Sequence, residues 1–167
     1  MTVLEGWELS PDRRKKFDQL MIQFDVGDPI LISKCKLATR QGLIVVSDNG
    51  IFWRLKVTAG LVLKYPHNPW LQMSELKFGN NKWIRWENIH RLIPEKPRKG
   101  KIKIEMYRRD REGNIRRKRS GKPVVFRWRA TLKRNKGENR KHFKARRRDF
   151  YRLLNEIFQR NKPLINS

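Results

Sequence analysis

The sequence predicts a mainly β domain: a strongly bent antiparallel sandwich, or partly open barrel, of seven strands, capped by a C-terminal α-helix and preceded by a short N-terminal helix. Three observations predict it. From Pro29 onward, apolar residues recur at every second position in one short segment after another, and side chains two apart share one face of a strand. Turn residues such as Asp48-Asn49-Gly50 and Asn135-Lys136-Gly137 separate these segments, as an antiparallel meander requires. Near its end the chain changes to the 3.6-residue period of a helix, with Phe150, Leu154, Ile157 and Phe158 in one stripe.

Residues 10–24 read as the first helix. Ser10 can cap it, Pro11 suits its first position, Asp12 favours the positive end of its dipole, and Phe17, Leu20, Met21 and Phe24 form one apolar stripe. That stripe is expected to cover the core; with Arg13 to Lys16 beside it, a basic membrane anchor is the alternative. Pro29–Leu37 alternates, and Gly42–Ser47 is an aliphatic run that suits a strand buried on both faces. Ile51–Thr58 places Ile51, Trp53, Leu55 and Val57 inward and Phe52, Arg54 and Lys56 outward. Ala59–Asn81 is irregular, and the prolines of Tyr65–Trp70 rule out a helix there. Trp83–Ile93 is too dense in apolar residues for clean alternation and reads as a fourth strand that bends or bulges near Asn88. Pro94–Gly100 is a connector.

The clearest pair of strands follows. Lys101–Tyr107 holds Ile102, Ile104 and Met106 on one face, and Val124–Leu132 holds Val124, Phe126, Trp128, Ala130 and Leu132. Their outward residues are cationic: Lys101 and Lys103 on the first, Arg127, Arg129 and Lys133 on the second. Residues 108–122 between them are too polar to bury and are expected to form a solvated hairpin loop, the most mobile internal segment, turning at Gly113 and Gly121. Arg140–Ala145 is expected as a short last strand with Phe143 and Ala145 inward. The closing helix is expected from about Arg148 to Asn161, capped by Asp149 and stopped by Pro163. Residues 1–27 then form a helical extension and residues 28–167 the domain, and no internal repeat is visible.

Charge is the loudest signal. Residues 96–148 hold 24 lysines and arginines against four acids, a balance of +20, and the chain total is +25, so only +5 remains for everything else. Cations held together at that density imply an anionic partner. Against this, the chemistry of an enzyme is missing. His67, His90 and His142 have no cysteine or carboxylate at ligand spacing, and no phosphate-cradling glycine loop or nucleophile elbow occurs. A non-enzymatic binding module without cofactor or metal is expected. The lone cysteine, Cys35, excludes an internal disulfide and suggests packing in a reducing compartment. No apolar run nears the roughly 20 residues that span a bilayer, and Met1–Glu5 does not read as a signal peptide, so a cytoplasmic protein peripheral to membranes is expected.

The order of these segments resembles the pleckstrin-homology-like superfamily and, within it, the GLUE domain at the start of an ESCRT-II subunit. Gly42–Arg54 is similar to that family's aliphatic strand, serine-containing turn and aromatic-bearing strand. Lys101–Glu105, the polar loop and Val124–Leu132 resemble its later hairpin, and Phe150-Tyr151-Arg152-Leu153-Leu154 resembles the opening of its closing helix. Departures are Asn49-Gly50 where the family's turn commonly ends in arginine, the extra Ala59–Asn81 and first helix, and a closing helix without tryptophan. The resemblance implies binding of acidic phospholipid headgroups, ubiquitin or both, in ESCRT-type sorting.

Three functions compete. First comes an adaptor on an anionic membrane surface, using Arg108, Arg109, Arg111, Arg116, Arg117, Lys118, Arg119 and Lys122 of the loop. Second is a nucleic-acid binder, whose ladder of Lys101, Lys103, Arg127, Arg129 and Lys133, extended by Arg146 to Arg148, would follow a phosphate backbone, with Tyr107 and Phe52 as outward aromatics. Third is a protein-binding patch made by Leu153 and Ile157 on one flank of the closing helix, unless both belong to the core.

Overall fold

A computed structural model of the chain describes residues 11–37, 40–55, 80–95 and 101–162. Seven strands form one antiparallel sheet: β1 (Pro29–Leu37), β2 (Arg40–Ser47), β3 (Gly50–Leu55), β4 (Asn80–Arg85), β5 (Ile89–Glu95), β6 (Lys101–Tyr107) and β7 (Val125–Leu132). Their order is β4-β3-β2-β1-β7-β6-β5. Two helices flank the sheet, α1 (Pro11–Gln23) and α2 (Arg140–Asn161). The mainly β class and both helices are as the sequence predicts.

The connectivity dictates the curvature. β4 and β5 are the two edges of the sheet, yet only the 3₁₀ turn Trp86–Asn88 separates them in sequence. At about 2 Å per residue that turn spans about 6 Å. The edges of a flat sheet of this many strands would lie about 29 Å apart. The sheet therefore curls, bringing the end of β4 at Arg85 near the start of β5 at Ile89, while the two edge strands stay unpaired and the sheet open. Its inner side is one core, drawn from Leu31, Ile44, Trp53, Ile84, Ile104 and Leu132 among others. Phe150, Leu154, Ile157 and Phe158 of α2 fill it from one end.

The outer face of β1–β3 is covered as well. Phe17, Leu20 and Met21 of α1, with Val26 behind them, pack on Ile32, Leu43, Val45 and Phe52. This explains the unbroken run Leu43-Ile44-Val45-Val46: alternate residues face two different cores, and all four are buried. Between β2 and β3 the Asp48-Asn49-Gly50 turn is as tight as expected. A Cβ at Gly50, where φ is +157°, would run into the Ile84 carbonyl oxygen of β4.

Several expectations are corrected. Trp83–Ile93 is two strands instead of one bent strand; Trp86 turns inward and donates from Nε1 to the Ser47 carbonyl at 3.2 Å, which ties the connecting turn to the end of β2. Arg140–Ala145 is no strand but the opening of α2, eight residues before the expected start at Arg148. Asn139 caps it, accepting the His142 N–H at 2.7 Å, and Ala145 is exposed. The strand count still reaches seven because the split of one segment replaces the loss of the other. Phe52 lies on the outer side as expected, but α1 buries it completely. Ser10, residues 56–79, the connector from Lys96 to Gly100, and Pro163 lie outside the described residues.

Candidate functional site

The β6–β7 ladder runs from Lys101↔Thr131 to Tyr107↔Val125 and gains one more bond, Arg108 N–H to the Val124 carbonyl at 2.9 Å. Beyond it the chain leaves the sheet as an arm. This arm corrects two expectations, for it is neither one open loop nor free of repetition. Arg108-Arg109-Asp110-Arg111-Glu112-Gly113-Asn114-Ile115 is followed by Arg116-Arg117-Lys118-Arg119-Ser120-Gly121-Lys122-Pro123, with the pattern Arg-Arg-x-Arg-x-Gly in both.

Each octet folds into the same tight hairpin. In the first, Asp110 N–H donates to the Asn114 carbonyl at 2.9 Å and Gly113 N–H to the Asp110 carbonyl at 3.1 Å. In the second, Lys118 N–H donates to the Lys122 carbonyl at 2.8 Å and Gly121 N–H to the Lys118 carbonyl at 2.9 Å. Gly113 and Gly121 close the turns at φ +86° and +84°, conformations that side chains disfavour. Arg109 and Arg117 each return a guanidinium N–H to the carbonyl of their own glycine, at 2.8 and 3.0 Å. Arg116 joins the two leaves at their base: its N–H donates to Arg108 and its carbonyl accepts from Val124, both at 2.8 Å.

Arg109 also fastens the arm to the body, donating from Nε to Asn88 Oδ1 at 2.7 Å on the turn that connects β4 to β5. Arg108 lies over the Phe126 ring, 5.5 Å from its centroid. With Arg116 and Tyr107 these residues line a shallow open concavity of about 330 Å³ at the root of the arm. Arg111, Arg116, Lys118, Arg119 and Lys122 are exposed and make no ion pair among the described residues.

The remaining predicted cations lie along β6 and β7. Lys103 stands opposite Arg129, and Lys101 opposite Thr131. Arg127 is opposite Glu105, which sequence alternation places on the outer face and which is nevertheless 1 % exposed. Arg91 covers it from β5, donating at 2.7 and 3.2 Å, and Arg127 from β7 at 2.7 Å. The Arg91 bonds, reinforced by Arg127 and opposed by burial, hold the Glu105 carboxyl below its usual range. Next to it, His90 Nδ1 and the Tyr107 hydroxyl are 3.0 Å apart, so Tyr107 has a partner within the face.

Three sequence expectations for partner-binding residues do not survive. Arg146 is buried and bonds Glu138, Ser33 and the Lys133 carbonyl, so it belongs to the framework. Ile157 is 4 % exposed in the core and Leu153 packs half-buried against it, so the pair forms no surface patch. Phe52 is beneath α1. Cys35 is buried and desolvation pushes its thiol up to about 12. Among the described residues no three histidine, cysteine or acidic side chains gather as a metal site, and no helix is long and apolar enough to cross a membrane. No family model, curated protein or solved structure matches this chain.

Proposed function

We propose that this chain is a binding module that docks on anionic phospholipid surfaces through the arm of residues 108–123. The single observation that carries the reading is the concentration of unpaired cations on one exposed arm. Arg111, Arg116, Lys118, Arg119 and Lys122 share a segment with only Asp110 and Glu112 as acids. An exposed basic arm suits a flat anionic leaflet, which attracts each cation near its surface by about 1 kcal/mol. Guanidinium forks add bidentate contacts to phosphate oxygens. The resemblance to PH-like and GLUE domains points to the same ligand class and adds ubiquitin in ESCRT-type sorting. For the ubiquitin arm the described residues supply no apolar patch: Ile22 is their one large exposed hydrophobic residue.

A nucleic-acid reading has the same charge in its favour but loses most of its stacking residues. Phe52 is buried, Tyr107 bonds His90, and Phe126 and Trp128 pack against the core. Arg127 and Arg146, two rungs of the proposed phosphate ladder, are committed to Glu105 and Glu138. The test is a comparison at one salt concentration: sedimentation with liposomes of graded anionic content beside binding to duplex and single-stranded nucleic acid. Retention that rises with anionic lipid and exceeds nucleic-acid binding is expected. Tighter binding to nucleic acid than to any vesicle overturns the membrane reading.

A further inference from the structure

The two leaves of the arm share a backbone but differ at one decisive position. In the first leaf, Asp110 Oδ1 accepts two backbone N–H groups, from Glu112 and from Asn114, each at 2.9 Å. That leaf thus carries an anionic oxygen in the nest of its own turn. In the second leaf the corresponding residue is Lys118, which has no acceptor to offer. The N–H groups that match those of Glu112 and Asn114 are those of Ser120 and Lys122, and they bond no group among the described residues. Charge follows the same division. The first octet has three cations and two acids, +1, while the second has five cations and no acid, +5.

We propose that the second leaf, Arg117–Pro123, is a phosphomonoester site. One phosphoryl oxygen occupies the position that the Asp110 carboxylate occupies in the first leaf, received by the N–H groups of Ser120 and Lys122. The surrounding Arg116, Lys118 and Arg119 neutralise the remaining charge. The first leaf, filled by its own carboxylate, serves as a brace that the Arg109–Asn88 bond holds to the sheet. The proposal rests on the membrane reading for the source of the phosphate, a lipid headgroup, but the nest itself takes the same group free in solution.

The test separates the two. Amide resonances of the full chain are followed while inorganic phosphate replaces chloride at constant ionic strength. Saturable shifts at Ser120 and Lys122, and none at Glu112 and Asn114, are expected. Lys118→Asp, which gives the second leaf the carboxylate of the first, is expected to abolish the response. Arg119→Asp, with the same change of charge, is expected only to weaken it. Asp110→Lys is expected to make the Glu112 and Asn114 amides respond in turn, and the unshifted core resonances report that each variant is folded. Vesicles of phosphatidic acid and of phosphatidylserine, matched in surface charge, form the second arm. Wild type is expected to bind the phosphomonoester surface about tenfold tighter, the worth of one charge-assisted hydrogen bond, and Lys118→Asp to lose that preference. If phosphate moves neither amide, or both substitutions weaken vesicle binding alike, the nest is overturned while diffuse membrane attraction stands. If the amides respond but neither vesicle retains the protein, the nest stands and the membrane reading falls.

Discussion

At the N-terminus of α2, Glu138 receives the Asn135 N–H at 3.0 Å, His142 at 2.9 Å and Arg146 at 2.8 and 3.0 Å. Burial pushes its carboxyl upward, but the Arg146 bonds, the Asn135 N–H and His142 together outweigh burial and hold it at about 2. A depressed carboxyl stabilises the fold above its unfolded value, and that stabilisation is lost as pH falls from 4.5 towards about 2. Over this window the group contributes about 3 kcal/mol. Glu138→Gln is expected to lower the melting temperature at neutral pH and to flatten the acid limb of the stability curve, as thermal unfolding between pH 2 and 7 would show. A variant with the wild-type acid limb would mean that other carboxylates govern it. Asn139→Ala removes the cap of the same helix and is expected to destabilise by about 1 kcal/mol, measured by urea unfolding.

At the scale of elements, the arm is exposed yet hydrogen-bonded throughout its base. Hydrogen exchange is expected to protect the Arg108, Arg116 and Val124 amides, which bond carbonyls at 2.8–2.9 Å, and to leave Ser120 and Lys122 fast. Uniformly fast exchange across the arm would restore the open loop expected from the sequence. Replacing residues 109–123 by a short turn is expected to leave near-UV circular dichroism intact, because the ladder ends at Tyr107↔Val125 and the core lies beyond it.

Much of this was legible in the sequence, and the misses have physical causes. β6 and β7 alternate because one face meets the core, and β2 runs unbroken because α1 gives it a second. The first turns of α2 are basic and nearly without apolar residues, and what holds them is Arg146 reaching Ser33 on β1 at 2.9 Å, a contact that local pattern does not record. Glu105 looked like one more outward residue because its two guanidinium partners come from neighbouring strands. The repeat in the arm was present as Arg-Arg-x-Arg-x-Gly, but uniform basicity hid it. The one useful contrast, Asp110 against Lys118, acquires meaning only once both turns are seen to close alike.

For the whole molecule, the question is whether total charge or its placement makes the binding surface. Exposed charges act through a field screened over ~10 Å at 0.1 M salt, so cations elsewhere on the chain contribute little to a surface touched by the arm. Charge reversal can decide this. Changing Arg116, Arg117, Lys118 and Arg119 to Glu removes eight units from the chain total of +25 and leaves +17. Changing Lys15, Lys16, Lys34 and Lys36 to Glu, all outside the arm, leaves the same +17. The decisive measurement is sedimentation of both variants and the wild type with anionic liposomes near 0.1 M salt, with circular dichroism to show that all three are folded. Loss of binding in the arm variant, with the control near wild type, is the predicted result; equal loss in both, or loss in the control alone, would contradict it.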